Sequence, residues 1–355
     1  MIELERLAGS VIVCGFAGRE VPAEVRGWIT SDTLAGVILF KRNIEDAVQT
    51  ADMIAAANRG DDSERPLLVC VDQEGGRVAR FGPPIVELPP MRTLARIGDL
   101  DLTALAGRVL GRQLHAVGIN LDFAPVLDVD TNPANPVIGD RAFGTTPQQV
   151  IDHGLAFARG LHEGGVLSCA KHFPGHGDTD VDSHHALPVL RHGRARLNDV
   201  ELPPFRSAVG TIPSIMTAHV VFEELDSAPA TLSAAVVREL LRHEIGFEGA
   251  VFTDDLEMKA VSEQYRIEES GVLAIEAGCD ILLVCSDVEA TGRLRETLIH
   301  EAEATPGFAA KLRAASTRAD ALRNQAAQLP PAIGLQNALD DPDARRLREE
   351  LEASA

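Results

Sequence analysis

Residues 167–173 read LSCAKHF, a run of small and apolar residues that ends in Lys171, His172 and a phenylalanine. Its length and apolar start are typical of a buried β-strand. The charged pair at its end is costly to bury unless it has a partner or a function. The next stretch, PGHGDTDVDSHHALP (174–188), is too polar for a core strand and too rich in glycine and proline for a helix. The sequence therefore predicts a buried strand that delivers charged side chains to a polar loop.

Seven further apolar runs of strand length occur along the chain, and amphipathic helical patterns separate them. They are VIVCGF from Val11, GVILF from Gly36, LLVCVD from Leu67, INLDFAPVLDV from Ile119, SIMTAHVVF from Ser214, GAVFTDDL from Gly249 and CDILLVC from Cys279. Such strands alternating with helices indicate a parallel sheet that helices cover. Eight units match the α/β fold of a closed (β/α)8 TIM barrel. A doubly wound open sheet is the alternative, although no G-x-G-x-x-G motif follows the first strand.

The barrel accounts for residues 1–305 as a single catalytic domain, and residues 306–355 are predicted to form a C-terminal helical extension. Its two helical patterns are KLRAASTRADALRNQAAQL and DDPDARRLREELEASA, with the break PPAIG between them. The last stretch holds few apolar residues, so we expect a frayed or loosely attached helix there.

Composition narrows the possible partners and compartments. The chain has 33 basic and 53 acidic residues, and its net charge of −20 argues against nucleic acid or an anionic membrane as a partner. Its first residues lack the pattern of a signal peptide, and its apolar runs are too short to cross a membrane. The five cysteines show no zinc-site spacing and are predicted to be reduced, buried thiols. We expect a cytoplasmic protein without a cofactor.

Polar residues follow five of the predicted strands, at the end where the reactive face of a barrel lies. They are Asp72, Glu74, Arg77 and Arg80 after the third strand, Asp140 and Arg141 after the fourth, Lys171 and His172 at the end of the fifth, His219 after the sixth, and Asp254 and Asp255 after the seventh. Each alone has a structural explanation, because a lone aspartate can cap a helix and Glu74 can pair with Arg77 across a turn. Their arrival from five strands at one face favours a single polar site.

The loop from residue 174 to residue 188 permits two chemical interpretations. His172, His176, His184 and His185 are possible metal ligands, but their spacing fits no ligand pattern that we can assign. The other interpretation is proton transfer by Asp182 and His184, which lie on the same side of an extended segment. A carboxylate beside an imidazole orients its tautomer and raises its basicity, as a general acid/base requires near neutral pH. A solvent-exposed loop histidine is the structural alternative.

Segments spread over about residues 34–285 resemble glycoside hydrolase family 3, specifically its single-domain bacterial β-N-acetylglucosaminidases (β-hexosaminidases) of cell-wall recycling. The segments are, in the family's order, VILFKRN, VDQEGGRVARF, GDRAFG, KHFPGHGDTDVDSHHALP, MTAHV, VFTDDLEM and EAGCDILLVC. Two departures are His185, where the family is expected to have another residue, and a longer, more polar C-terminal tail. The resemblance implies a TIM barrel whose site is complete within one domain.

The resemblance also implies a reaction and a set of residues. The reaction is retaining removal of terminal non-reducing β-N-acetylglucosamine from muropeptides or chitooligosaccharides through a covalent glycosyl-aspartate intermediate. Asp254 resembles the nucleophile, His184 the acid/base, and Asp182 its partner. The residues that resemble the ligands of the sugar hydroxyls are Asp72, Arg80, Arg141, Lys171 and His172. The expected partner is a small carbohydrate, and the protein is expected to be a monomer. We also expect the loop to close over the bound sugar, with Gly175 and Gly177 as its hinges.

Other activities remain possible at this stage. A neutral histidine repels an anionic acceptor less than a carboxylate would, so phosphorolysis is a rival within the family. A β-glucosidase of the same family is another. A metal-dependent hydrolase would lose activity on chelation. A catalytically silent sugar-binding barrel would be expected to lack Asp254, His184 or Asp182, and all three are present.

Overall fold

The computed structural model describes residues 2–58, 66–183 and 186–354. Across these ranges, eight parallel strands close into a barrel. Each barrel strand pairs with the barrel strands before and after it in the chain, and the first pairs with the last. Two short strands pair with each other outside the barrel. The barrel strands are β1 Ile12–Cys14, β2 Gly36–Leu39, β3 Leu68–Val71, β4 Leu121–Asp122, β5 Leu167–Phe173, β7 Ser214–Thr217, β9 Ala250–Asp255 and β10 Ile281–Val284, and the outside pair is β6 Val189–Leu190 and β8 Val221–Phe222. The predicted TIM barrel is confirmed.

Helices cover the outside of the barrel. The α-helices are α1 Ile2–Gly9, α2 Ala23–Thr30, α3 Ala47–Asn58, α4 Met91–Ile97, α5 Leu100–Val117, α6 Pro147–Glu163, α7 Arg194–Arg196, α8 Leu202–Ala208, α9 Lys259–Ser262, α10 Ile267–Ala277, α11 Val288–Ala304, α12 Pro306–Ala327, α13 Leu335–Leu339 and α14 Pro342–Ser354. Two π-helices span Leu197–Glu201 and Ala235–Glu244, and 3-10 turns span Lys41–Asn43, Gly139–Arg141 and Ala230–Leu232. Over the described part of the chain, no helix combines the length and apolar character needed to cross a membrane.

Most of the regular strands are shorter than their apolar runs, and the fourth and sixth runs differ most. In the fourth run only β4 is regular, because Pro125 has no N–H to donate to a ladder. The chain nevertheless continues beside β5, since the Leu127 N–H donates to the Lys171 carbonyl at 2.7 Å. The run SIMTAHVVF divides into β7, which belongs to the barrel, and β8, which pairs outside it.

The interior of the barrel forms an apolar cluster that is separate from the layer between strands and helices. At its centre the rings of Phe123 and Phe252 meet edge to face, with centroids 5.3 Å apart. Ala319 and Leu322 of α12 belong to the same cluster and are buried. Since α12 also contacts residues just before β3 and β10, it closes the barrel at the amino ends of the strands and is called the plug below.

Charged side chains of α12 fasten the plug to the barrel. Arg323 is buried, and it donates to the Pro66 carbonyl at 2.9 Å and to Asp32 at 3.0 Å. Arg318 donates to Asp280, just before β10, at 2.7 Å. The predicted domain boundary at residue 305 falls between α11 and α12. The helix beyond that boundary is therefore packed into the barrel, and the division itself stays a prediction.

The final helix packs more closely than its polar sequence predicts. Ala344 and Leu347 of α14 are buried against the rest of the protein. Arg112 of α5 donates to Asp341 at 2.8 Å and to Asp343 at 3.0 Å. The expectation of a loosely attached helix is wrong, because a few apolar residues on one face and these ion pairs suffice to dock it.

Candidate active site

A cavity of about 260 Å³ opens at the carboxyl ends of the barrel strands. Six of the residues predicted for substrate binding and catalysis line it together: Asp72, Arg80, Arg141, Lys171, His172 and Asp254. Ile38, Phe40, Phe123, Met216 and Leu283 supply apolar wall between them. The strand ends thus bring residues that are up to 182 positions apart in the sequence (72 to 254) into one polar site with apolar walls.

Bulges in two strands put consecutive polar residues into this cavity. The pairing of β5 with β7 shifts register between Ala170 and Phe173, and both Lys171 and His172 line the cavity. The pairing of β9 with β10 shifts in the same way after Phe252, and both Asp254 and Asp255 line the cavity. In a regular strand, successive side chains point to opposite faces, and a bulge re-aims one of them.

Lys171 is the buried centre of a charge cluster. Its Nζ lies 2.7 Å from Asp72 Oδ1 and 2.6 Å from Glu74 Oε1. Burial alone would lower the pKa of the Lys171 ammonium, but these two carboxylates outweigh it and raise the pKa above its usual range. For the Asp72 carboxyl, burial alone would raise the pKa, but the charges of Lys171 and Arg80 outweigh burial and lower it. The cluster is therefore ionised over the whole physiological range.

Glu74 binds a second cation as well as Lys171. Its two oxygens accept from Arg141 Nε at 2.8 Å and from Arg141 Nη2 at 2.9 Å, a bidentate pair. Against the cost of burial, Arg141 and Lys171 hold the pKa of Glu74 far below its usual value. The structural alternative considered for Glu74, an ion pair with Arg77 across a turn, is wrong. Arg77 instead lies half exposed, 3.7 Å from Asp140, outside the cavity.

Arg80 is held in place from three directions. Its Nη2 donates to Asp72 at 3.0 Å, and its guanidinium lies 5.2 Å from the centre of the Phe40 ring. Its backbone N–H donates to the side chain of Gln73 at 2.7 Å, and the Gln73 N–H donates to buried Asp122 at 2.9 Å. Burial raises the pKa of Asp122 to about 7. Gln73 thereby closes the loop that presents Arg80 to the cavity.

Asp128 orients His172 from behind the cavity. Its Oδ2 lies 2.7 Å from His172 Nδ1, and its Oδ1 accepts from the His176 N–H at 2.6 Å. Burial would raise the pKa of Asp128, but His172 and His176 outweigh it and lower the pKa. A carboxylate on Nδ1 fixes the ring so that Nε2 faces the ligand side. Asp128 was not among the residues predicted for the site, because an acid inside an apolar run is its only signal in the sequence.

His176 links two other positions of the polar loop, Thr179 and Ser183. Its Nε2 lies 3.1 Å from Ser183 Oγ, and its Nδ1 lies 2.8 Å from Thr179 Oγ1. Burial, and then the neighbouring His172, lowers the pKa of His176 to about 4. The neutral ring therefore serves as a structural link, with one nitrogen donating and the other accepting.

Asp254 and Asp255 end β9 side by side but differ in charge state. Burial would raise the pKa of Asp254, yet His219 and His172 outweigh it and lower the pKa. Burial raises the pKa of Asp255 to about 7, and nearby Glu257 and Asp254 add to the rise. His219 lies beneath them, with Nε2 donating to the Asp255 carbonyl at 2.9 Å. Asp254 is thus the ionised member of the pair near neutral pH.

The predicted acid/base residues fall partly outside the described residues. His184 and His185 lie in the gap between residues 183 and 186, so their predicted roles stay predictions. Ser183 lines the cavity, and Asp182 precedes it in the chain. Over residues 2–58, 66–183 and 186–354, no three His, Cys, Asp or Glu side chains come together as a group that could hold a metal ion.

A TIM barrel with an ionised carboxylate and a clamp of paired charges at its strand ends is the arrangement of an enzyme that acts on a small polar ligand. Comparison with known proteins identifies which kind. Residues 4–318 match the glycosyl hydrolase family 3 N terminal domain, so the chain belongs to glycoside hydrolase family 3 and is a glycoside hydrolase. The resemblance of its sequence segments to this family is confirmed.

Relatives and solved structures cover most of the chain. A protein of Idiomarina loihiensis named beta-hexosaminidase is 38% identical over 280 residues, which are 78% of this chain and 84% of the relative. A glycoside hydrolase family 3 beta-N-acetylglucosaminidase from Paenibacillus sp. str. FPU-7 superposes with a TM-score of 0.92 at 37% identity, over 99% of this chain and 68% of that one. NagZ from Neisseria gonorrhoeae, in complex with N-trifluoroacetyl-D-glucosamine, superposes with a TM-score of 0.83 at 32% identity, over 98% of both chains.

Proposed function

We propose that this glycoside hydrolase removes terminal non-reducing β-N-acetylglucosamine by a retaining mechanism. The observation that carries the proposal is Asp254, an ionised carboxylate at a rigid strand end inside the cavity. A retaining glycosidase needs such a carboxylate beneath the anomeric carbon. The names of the relatives and the N-acetylated glucosamine analogue in the gonococcal NagZ structure support the choice of sugar.

In the first step Asp254 attacks the anomeric carbon, and the bond to the leaving oxygen breaks as that oxygen takes up a proton. The glycosyl-aspartate ester that results is hydrolysed by water in the second step, which restores the carboxylate. Asp255 is less suited to the attack because its pKa of about 7 leaves a substantial fraction of its carboxyl groups protonated near neutral pH, whereas the pKa of Asp254 is lowered.

The charge cluster supplies the grip on the sugar. Asp72, Arg80, Arg141, Lys171 and His172 line the cavity and carry donors and acceptors for hydroxyl groups. Charge-assisted hydrogen bonds are stronger than neutral ones, and mutual ion pairing holds these side chains in place before the sugar arrives. The clamp is therefore preorganised, which lowers the entropy cost of binding.

His184 and Asp182 are proposed as the acid/base and its partner. The support comes from their neighbour Ser183, which lines the cavity and is held there by His176 at 3.1 Å. The natural substrates proposed are muropeptides or chitooligosaccharides, used by a monomeric cytoplasmic enzyme in cell-wall recycling.

A panel of aryl β-glycosides, assayed with and without phosphate, tests this proposal. The N-acetylglucosaminide should be cleaved far faster than the glucoside or the xyloside, and NMR should show that the β-anomer forms first. A first-formed α-anomer would exclude retention. Phosphate that accelerates turnover and yields a sugar 1-phosphate would establish phosphorolysis in place of hydrolysis.

Substitution of the two adjacent acids identifies the nucleophile. Asp254→Ala should lower kcat on the aryl N-acetylglucosaminide by roughly 10³-fold or more, as loss of a nucleophile does. Asp255→Ala serves as the matched control and should cost much less. Equal losses, or a larger loss from Asp255→Ala, would transfer the nucleophile's role away from Asp254.

A further inference from the structure

A second cavity of about 290 Å³ lies at the opposite end of the barrel from the candidate active site. It sits where β9 and β10 begin, between the π-helix Ala235–Glu244, α10 and α12. The basic side chains that line it, here called the basic cavity, are Arg238, Arg242, His243, Lys311 and Arg318, and one acid, Glu276, lines it with them. A cluster of this sign stands out in a chain whose net charge is −20.

The permanent cations of the basic cavity outnumber the carboxylates that they contact. Arg242 and Arg318 share one carboxylate, that of Asp280, which is fully buried beneath them. Lys311 pairs with Glu276, and Arg238 pairs with Glu239. In the described ranges four cations thus contact three carboxylates through ion pairs. One positive charge is therefore left over among these side chains.

The geometry leaves donors available on the three outer cations. Arg318 binds Asp280 through Nε alone, at 2.7 Å, so its terminal nitrogens make no hydrogen bond that the described residues account for. The side chains of Arg238, Lys311 and Arg318 are 41%, 40% and 35% exposed, respectively. Arg242 is only 12% exposed and forms the bottom of the basic cavity, where it donates to the backbone carbonyls of Phe247 and Gly249.

We propose that the basic cavity binds a phosphate group. Arginine forks match the oxygens of a phosphate in pairs, and lysine adds a point charge. A single excess charge and a volume of about 290 Å³ suit a compact oxyanion and not a polyanion such as nucleic acid. Free phosphate and the phosphate of a small monoester share this chemistry. Because the site joins three elements around the barrel plug, binding should stabilise the fold without entering the catalytic cycle.

Calorimetric titration of the full chain with inorganic phosphate tests the proposal. Saturating N-acetylglucosamine is present to fill the active-site cavity, and sodium chloride keeps the ionic strength constant. The double variant R238Q/K311Q should raise the phosphate Kd by about tenfold or more, because it removes two charge-assisted contacts. R313Q is the control, since it removes the same type of charge from an exposed position of α12 outside the cavity.

Each outcome bears on the proposal. The proposal is supported if wild type and R313Q bind phosphate with the same Kd while R238Q/K311Q binds phosphate weakly. All three proteins should also hydrolyse substrate at the same rate. It is overturned if no saturable binding occurs, if all variants bind equally, or if N-acetylglucosamine abolishes binding. Glycerol 3-phosphate in a parallel titration separates the sources, because tighter binding than inorganic phosphate points to a monoester. Circular dichroism checks that the variants are folded, and R238Q alone should give a smaller shift in the same direction.

Discussion

Glu74 illustrates how a residue outside the reaction can control the residues within it. Its oxygens face Lys171 and both nitrogens of the Arg141 fork, so little capacity remains for a sugar hydroxyl. Its role is to hold two cations of the clamp at a fixed separation. The sequence could not reveal this, because Arg141 lies 67 positions away and a carboxylate after a strand has many possible partners.

Neutralising Glu74 should therefore weaken substrate binding. In Glu74→Gln the two cations lose a charged partner, and each charge-assisted bond lost contributes about 1.5–3 kcal/mol. We expect kcat/KM to fall by roughly 10- to 100-fold, mainly through KM, because the clamp loosens while Asp254 stays in place. Steady-state kinetics measures the split. Glu87→Gln, at an exposed position, is the control, and a loss confined to kcat would contradict the positioning role.

His176 predicts how stability changes with pH. Its pKa is about 4 in the folded protein and 6.5 ordinarily, so the unfolded chain takes up the proton first as the pH falls. Stability that is present above pH 6.5 should thus be lost between pH 6.5 and pH 4, by up to about 3 kcal/mol. Urea unfolding across this range should show a steeper decline for wild type than for His176→Asn.

Acids with a raised pKa, Asp122 and Asp255 among them, titrate in the opposite sense and make the comparison with a variant necessary. The folded-state pKa values of Asp122 and Asp255 are raised to about 7, so protonation of the folded protein adds stability as the pH falls. Both acids are present in wild type and in His176→Asn, and the difference between the two proteins isolates the histidine. Parallel stability curves would mean that His176 is not held neutral.

At the scale of elements, hydrogen bonds from the loop after β4 anchor the polar loop at His176 and Thr179. Asn135 donates to the His176 carbonyl at 2.9 Å, and Asn132 donates to the Thr179 carbonyl at 3.1 Å. A Cβ on Gly177 would lie 1.9 Å from the Val129 carbonyl oxygen, so this glycine permits a close approach of two backbones. The predicted hinge role of Gly175 and Gly177 stays untested.

The Asp182–His184 pair predicts non-additive losses. If Asp182 acts only by orienting His184 and stabilising its protonated form, then removing the histidine leaves the aspartate without a task. The double variant should be little worse than His184→Ala on a natural disaccharide. An aryl glycoside with a dinitrophenolate leaving group is the control substrate, since that group hardly needs a proton. Losses that multiply, or that do not depend on the leaving group, would argue for a structural loop role.

Strands were predictable as elements, but the details that build the site were not. Apolar runs between helical patterns predicted each barrel strand and therefore the face where polar residues gather. The bulges in β5 and β9 have no signal in such runs, because pairing with β7 and β10 decides where the register shifts. The break of SIMTAHVVF into two strands has the same origin, since β8 pairs with a partner outside the barrel.

At the scale of the whole molecule, the two ends of the barrel have separate tasks. The carboxyl ends of the strands carry the candidate active site, and the amino ends are closed by α12 through Ala319 and Leu322. The sequence predicted α12 as a helix but assigned it to an extension. The amphipathic pattern of α12 predicts that one face of the helix is buried. It does not predict what that face packs against, because a helix that closes the barrel and a helix on its outside would show the same pattern.

Leu322 tests the plug directly. It is 1% exposed and belongs to the cluster inside the barrel, so Leu322→Ala removes buried apolar contacts and leaves a cavity. We expect the free energy of unfolding to fall by about 2–5 kcal/mol. The kcat of the folded fraction should stay unchanged, since the barrel core separates α12 from Asp254. Urea unfolding and activity at matched folded concentration measure the two effects, with exposed Asn324→Ala as the control. A loss below about 1 kcal/mol, the range of surface substitutions, would mean that α12 is an appended helix as the sequence predicted.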